Sequence, residues 1–148
     1  VDARFECVGQ PFHPAGASAV GQRGPGREGG LRGPDGGVDI ARIAIGNEVS
    51  NLLGWRAAWM ASEGTLPGVE GTMAKLFTTE HYQYAANELV DALGVEGLRR
   101  HGDPSATAAD GWIEAVYRHC QVTTIYGGTS EVLRGVIAER GLQLPRNR

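Results

Sequence analysis

From Val38 to Arg140 the apolar residues return every three or four positions, and no stretch alternates apolar with polar long enough to make a convincing strand. That period confines the chain to helices packed on helices. Asp39 is a plausible N-cap for a first helix in which Ile40, Ile43, Ala44, Val49, Leu52, Leu53 and Met60 make one broad apolar stripe. Trp55 and Trp59, four residues apart beside it, are expected to anchor the packing. Gly64 to Gly71, with Pro67 inside, breaks this helix. A second helix is expected from Thr72 to Leu93, carrying Met73, Leu76, Phe77, Tyr84, Leu89 and Leu93 and closed by Gly94 and Gly97. The stretch HGDPSATAADG reads as a loop, and its Asp110 is a candidate cap for a third helix through Trp112, Ile113, Val116 and Tyr117. QVTTIYGG, β-branched and glycine-terminated, reads as an extended crossing. The last helix runs from Thr129 to Arg140, with Val132, Leu133, Val136 and Ile137 on one face. Gly141 stands at its C′ position and Pro145 beyond it as a stop. The fold class is all-α, an antiparallel four-helix bundle.

The first 37 residues have another texture. Residues 1–38 hold ten of the chain's 23 glycines and four of its seven prolines. Between Gly21 and Gly37 the only large apolar side chain is Leu31, too little burial to offset the entropy of ordering a backbone. The expectation is a loop or disordered segment over 1–37, followed by one helical domain over 38–148. The glycines keep no collagen period, and no strand precedes them as a dinucleotide loop requires.

Several functions are disfavoured. A net charge of −3 argues against nucleic acid as a partner. No run of about 18 apolar residues spans a membrane, and no secretory leader is visible. Cys7 and Cys120 form neither a disulfide framework nor a metal knuckle, and the cytoplasm is the expected compartment. Metal-carrying bundles use Glu-x-x-His pairs, which are lacking, and His13, His81, His101 and His119 are scattered, so no metal is expected. Ser130 lacks the glycine elbow of a nucleophile and reads as a helix N-terminal residue.

The informative element is TTIYGGTSEVLRGVIAERGLQLP. Gly127 and Gly128 permit unusual dihedrals and close backbone approach, and deliver the chain into a helix N-terminus of the kind that attracts anions. Thr129, Ser130 and Glu131 can each cap that terminus or bond a ligand. On spacing alone an ordinary tight turn before a helix is the favoured reading.

Tyr126-Gly127-Gly128-Thr129-Ser130-Glu131, followed by Arg134 and Ile137-Ala138-Glu139-Arg140-Gly141, resembles the closing signature of acyl-CoA dehydrogenases. Met73-Ala74-Lys75-Leu76-Phe77 resembles that family's penultimate long helix, and Arg118 stands where members often hold arginine. The similarity runs from Val38 to Arg146. NLLGWRAAW and YRHCQVTTIYGGTSE are similar to actinobacterial members, some of which act on sterol side chains. The resemblance implies an FAD-dependent dehydrogenation of an acyl-CoA to a trans-2-enoyl-CoA. In it a glutamate takes the α-proton, the flavin takes the β-hydride, and an electron-transfer flavoprotein-like acceptor follows. It also implies a homo- or hetero-oligomer, and that this sequence corresponds to the C-terminal bundle of a longer three-domain architecture.

The resemblance assigns residues, and the sequence departs from it in places. Thr129 and Glu131 would contact flavin; Tyr126, Gly127 and Gly128 would line the acyl pocket. Gly127 stands where many members carry the glutamate base, so no catalytic residue is firmly assigned. Other subfamilies supply the base from an upstream helix, and there Glu6 and Glu28 are the acids available, Glu6 being the candidate. Asp91 and Gly94 match the flavin contact made across the dimer, but Asp91 replaces a glutamine, and Val95 stands where a second glycine is usual. A carboxylate there repels a pyrophosphate. The alternative to an enzyme is a non-catalytic assembly bundle, or a partner subunit in a hetero-oligomeric dehydrogenase.

Overall fold

A computed structural model describes residues 34–146. The architecture is helical, and among these residues there is no strand. Helix α1 spans Pro34–Ser62, α2 spans Val69–Leu93, α3 spans Trp112–Thr123 and α4 spans Ser130–Val136, which runs on into a π turn, Ile137–Gly141. Two 3₁₀ turns, Gly94–Leu98 and Ala109–Gly111, bracket the loop between α2 and α3. Residues 1–33 of the glycine-rich segment, with Glu6 and Glu28, lie outside the described residues, and its last four residues, 34–37, are helical and open α1 rather than forming a loop.

Helix α2 is the axis of the fold, because α1, α3 and α4 all pack on it. Helix α1 runs antiparallel to it: His81 Nε2 donates to the Ile43 carbonyl at 3.1 Å, and at the other end Arg56 lies 3.7 Å from Glu70. Helix α3 also runs antiparallel to α2, with Gln83 bonded to Gln121 at 2.6 Å and Ile113 packed near Leu89 and Leu93. The core is small and sits toward the C-terminal half of α2. Ile43, Ala85, Leu89, Leu93 and Ile113 are buried there, with Ile40, Tyr84, Val90, Ala108 and Ala109 around them. Ala85 and Ala86 are the small residues that let neighbouring helices approach α2 closely.

Several local expectations need correction. Helix α1 begins at Pro34, so Asp39 lies inside it and caps nothing; a proline in the first turn has no N–H to waste and a φ already suited to the helix. Trp55 and Trp59 anchor no packing, since both project from the face of α1 turned away from α2. QVTTIYGG is not an extended crossing. Helix α3 continues through Thr123, where the Thr123 hydroxyl donates to Cys120 O at 2.6 Å and that of Thr124 to Gln121 O at 3.0 Å. Threonines that bond back to helix carbonyls finish a helix despite their β-branching. Asp110 is no cap either. Ala109, Asp110 and Gly111 all have positive φ (49°, 50° and 74°), and the α3 N-terminus has no side-chain cap. Asp110 instead offers its carbonyl to His101 Nδ1 at 2.8 Å, with its carboxylate 3.2 Å from the same nitrogen. Gly141 lies within the π turn without positive φ, while Gln143, at φ 55°, makes the left-handed exit. Glycine serves at 141 because a Cβ there would meet Val69 Cγ1 at 3.0 Å.

Candidate functional site

The turn between α3 and α4 is built by short-range hydrogen bonds. Ile125 N and Tyr126 N both donate to Val122 O, at 3.1 and 3.2 Å, folding the chain back as α3 ends. Gly127 and Gly128 then adopt φ of 68° and 105°, values that a side chain would strain. Ser130 N returns to Thr124 O at 3.2 Å and closes the loop. One long-range bond fastens this turn to the scaffold, from Lys75 Nζ on α2 to Gly128 O at 2.8 Å. Arg134 on α4 bonds Glu80 on α2 at 2.6 Å, a second tie between the same two helices. Partial burial lowers the pKa of Lys75, and Glu80 opposes that shift.

Thr129 is the N-cap of α4. Its backbone is extended, its Oγ1 accepts from Val132 N at 3.4 Å, and its carbonyl accepts from Leu133 N at 2.9 Å. Hydrogen bonds from its own backbone N–H and from the Thr129 hydroxyl hold the Glu131 carboxyl below the usual carboxylate range, and Arg134 adds to this. Ser130 N, Val132 N and Leu133 N, donors of the first turn, are thus engaged within the protein. Thr124 and Thr129 occupy donors of the terminus read from sequence as one that attracts anions, and the Glu131 carboxylate beside it repels a phosphate. What the turn presents instead is a carboxylate acceptor and a threonine hydroxyl. The Ser130 hydroxyl, buried at the same corner, has no hydrogen-bond partner.

Tyr126, Gly127, Gly128, Thr129 and Glu131 thus lie together, with Tyr126 half-exposed and its ring 6.4 Å from that of His119. Asp91 and Gly94 do not join them. Both are exposed at the far end of α2, about 24 Å or more along the helix from Lys75 at 1.5 Å per residue. Gly94 has φ 57°, and Val95 beside it is exposed. Within one chain these are two separate surfaces.

No other arrangement competes for chemistry among the described residues. No group of three or more His, Cys, Asp or Glu residues there could hold a metal, and no helix is long and apolar enough to cross a membrane. Burial pushes the Cys120 thiol up, which keeps it from acting as a thiolate. Arg118 pairs with the buried Glu114 one turn earlier, at 2.6 Å. The contact that sequence reasoning missed is the Lys75 tie. Its signal in the sequence is the single lysine among fourteen basic residues.

Comparison with known proteins bears on the family and the fold. Residues 32–142 match the family model for the acyl-CoA dehydrogenase C-terminal domain. Acyl-CoA dehydrogenase FadE26 of Mycobacterium tuberculosis is 34% identical over 113 residues, covering 74% of this chain and 28% of that protein. Among solved structures, the ChsE4–ChsE5 complex from Mycobacterium tuberculosis superposes with a TM-score of 0.75 at 28% identity, covering 90% of this chain and 34% of the other. The Tcur3481–Tcur3483 steroid ACAD gives 0.73 at 32% identity, covering 79% and 30%. The chain thus spans about a third or less of the length of the proteins it matches. With the family's domain matched over most of its length and its fold reproduced by solved members, the chain belongs to the acyl-CoA dehydrogenase family, as its C-terminal helical domain.

Proposed function

We propose that this chain is the helical C-terminal part of an FAD-dependent acyl-CoA dehydrogenase whose catalytic base stands outside the turn that carries it in many members. The family's general dependence on FAD supports the cofactor assignment, and the polar set of the turn supports the residues. Thr129 and Glu131 hold the flavin dinucleotide through its hydroxyl or amide edge. Tyr126, Gly127 and Gly128 form a wall of the acyl pocket, and Lys75 fixes the position of that wall. The bound flavin supplies the oxidant for the Cα–Cβ bond. Gly127 offers no acid or base, so the α-proton goes to a carboxylate elsewhere, with Glu6 the candidate in this sequence. Asp91 and Gly94, remote from the turn, address the cofactor of another copy.

The observation that carries this reading is the turn itself. Gly127 has φ 68° in a loop latched by Lys75, an ordered turn that supports a site of the family's kind with glycine in place of its acid. Of the Tcur3481–Tcur3483 and ChsE4–ChsE5 structures, the first is a steroid ACAD, which favours sterol-linked acyl-CoA thioesters as the substrates. The second of these, described as a complex of two chains, favours a hetero-oligomeric partner subunit as the alternative reading. The test is reconstitution with FAD, removal of free flavin, and anaerobic addition of a steroid acyl-CoA and of butyryl-CoA. Retained flavin bleached only by the steroid thioester supports the proposal. Retained flavin that either thioester leaves oxidised supports the partner-subunit alternative.

A further inference from the structure

The chain holds one lysine, and that lysine stands at the glycine turn. Lys75 Nζ reaches across from α2 to donate to Gly128 O at 2.8 Å, and its Cε lies 3.9 Å from the point a Cβ on Gly127 would occupy. Apart from the adjoining residues of the turn, no other described atom comes within 4 Å of that point. The room left where many members carry an acid therefore opens onto the lysine side chain. Lys75 forms no ion pair among the described residues, and Glu80, the acid whose charge reaches it, is held by Arg134 at 2.6 Å. Partial burial lowers the pKa of Lys75, which enlarges the share of neutral amine at a given pH. A lysine amine partly withdrawn from water in this way is a nucleophile.

We propose that Lys75 is an acyl acceptor, taking the acyl group of an acyl-CoA thioester seated against Tyr126, Gly127 and Gly128. The inference rests on the reading of that turn as a wall of the acyl pocket. Only the neutral amine reacts: its lone pair attacks the thioester carbonyl carbon, a C–N bond forms and the C–S bond breaks. The CoA sulfur leaves with the proton that the nitrogen gives up, and the product is a neutral amide on Nζ. No oxidant or reductant takes part, so the transfer is separate from the dehydrogenation. The bond to Gly128 O holds the nitrogen in place, because a neutral amine keeps that bond through one N–H and leaves its lone pair free. The amide retains one N–H for the same carbonyl, but the charge is gone and the acyl chain lies in the room beside Gly127. The substrate thus blocks its own pocket, and the turn carries a covalent brake set by the level of thioester.

The full chain is incubated with butyryl-CoA at about pH 8, where an ordinary lysine is almost wholly protonated, and peptide masses are followed over time. With a single lysine in the chain the readout is specific, since the α-amino group lies on a different tryptic peptide. Butyrylation of Lys75 is expected at a rate that saturates with thioester and exceeds that of a synthetic peptide of residues 71–79 by about tenfold or more. Butyryl-CoA with a methylene in place of its thioester sulfur cannot transfer its acyl group, and equilibrium dialysis measures its binding separately. Acylation no faster than the peptide's, or acylation that never saturates, overturns the proposal. If the analogue nevertheless binds, the pocket reading stands without it; if the analogue does not bind, that reading falls as well.

Discussion

Lys75 and Gly128, 53 positions apart, are joined by a single hydrogen bond of 2.8 Å from ammonium to carbonyl. It ties the conformation of a glycine turn to the central helix, and through it the family's signature segment is held against the scaffold. Lys75→Met removes the donor and leaves the Gly128 carbonyl half-buried without its partner. The expected cost is about 1–2 kcal/mol in chemical denaturation. Amide exchange confined to residues 125–130 should rise, while α2 stays protected. Uniform protection of the turn in the variant contradicts the latch.

At Gly46, α1 makes room for the His81 ring of α2. A Cβ there would fall within the His81 ring, so Gly46→Ala must push the helices apart or expel the ring from its bond to Ile43 O. A loss of about 2–3 kcal/mol is expected. Gly54, on the same helix, has open space around its missing Cβ, and Gly54→Ala should stabilise by about 0.5–1 kcal/mol. Urea titrations of the two variants side by side check the contrast.

Gly111 has φ 74° and abuts the backbone of Arg100 and His101. Gly111→Ala adds left-handed strain to a backbone collision that no side-chain rotation relieves, so at least about 3 kcal/mol is expected. Thermal unfolding measures it. A shift within about 2 °C rules out this tight return into α3.

Burial lowers the pKa of His81 from its ordinary 6.5, against the opposing effect of its bond to Ile43 O. A folded-state pKa below the unfolded one means that the unfolded chain binds the proton more readily. The neutral ring's contribution is therefore complete above pH 6.5 and is lost as pH falls through the lowered value. The denaturation midpoint should drop between pH 6.5 and 5, and His81→Gln, which keeps a donor but does not titrate, should flatten that part of the curve. An equally steep fall in the variant assigns the slope to other groups.

The sequence revealed the helices better than the faces they bury. The period of three and four located all four, and Gly94 marked the end of α2 because its positive φ is cheap only for glycine. The same period could not tell which side of α1 has a partner: Ile43 and Leu52 both fit an apolar stripe, yet one faces α2 and the other solvent. Trp55 and Trp59 were misplaced for that reason. Thr123 and Thr124 misled through their β-branching, since their hydroxyl bonds to helix carbonyls are invisible to propensity. The segment from Tyr126 to Glu131 was legible as a unit because its residues are consecutive. Lys75 was not, because the partner that gives it meaning is a backbone carbonyl far along the chain. Glu131 was legible as a capping residue, but the bonds of Ser130 N to Thr124 O and of Val132 N to Thr129 Oγ1, which occupy that N-terminus, depend on a backbone path that no spacing encodes.

The central claim is that the turn from Tyr126 to Glu131 serves a flavin. The direct test is the visible absorption of a chimera in which residues 38–146 replace the matching C-terminal segment of a flavin-containing acyl-CoA dehydrogenase, purified free of unbound cofactor. The account predicts a yellow protein whose flavin content falls at least about fivefold when Thr129→Ala and Glu131→Gln are combined, with helical content unchanged. A chimera that folds but is colourless, or that holds its flavin equally well with both residues changed, contradicts it.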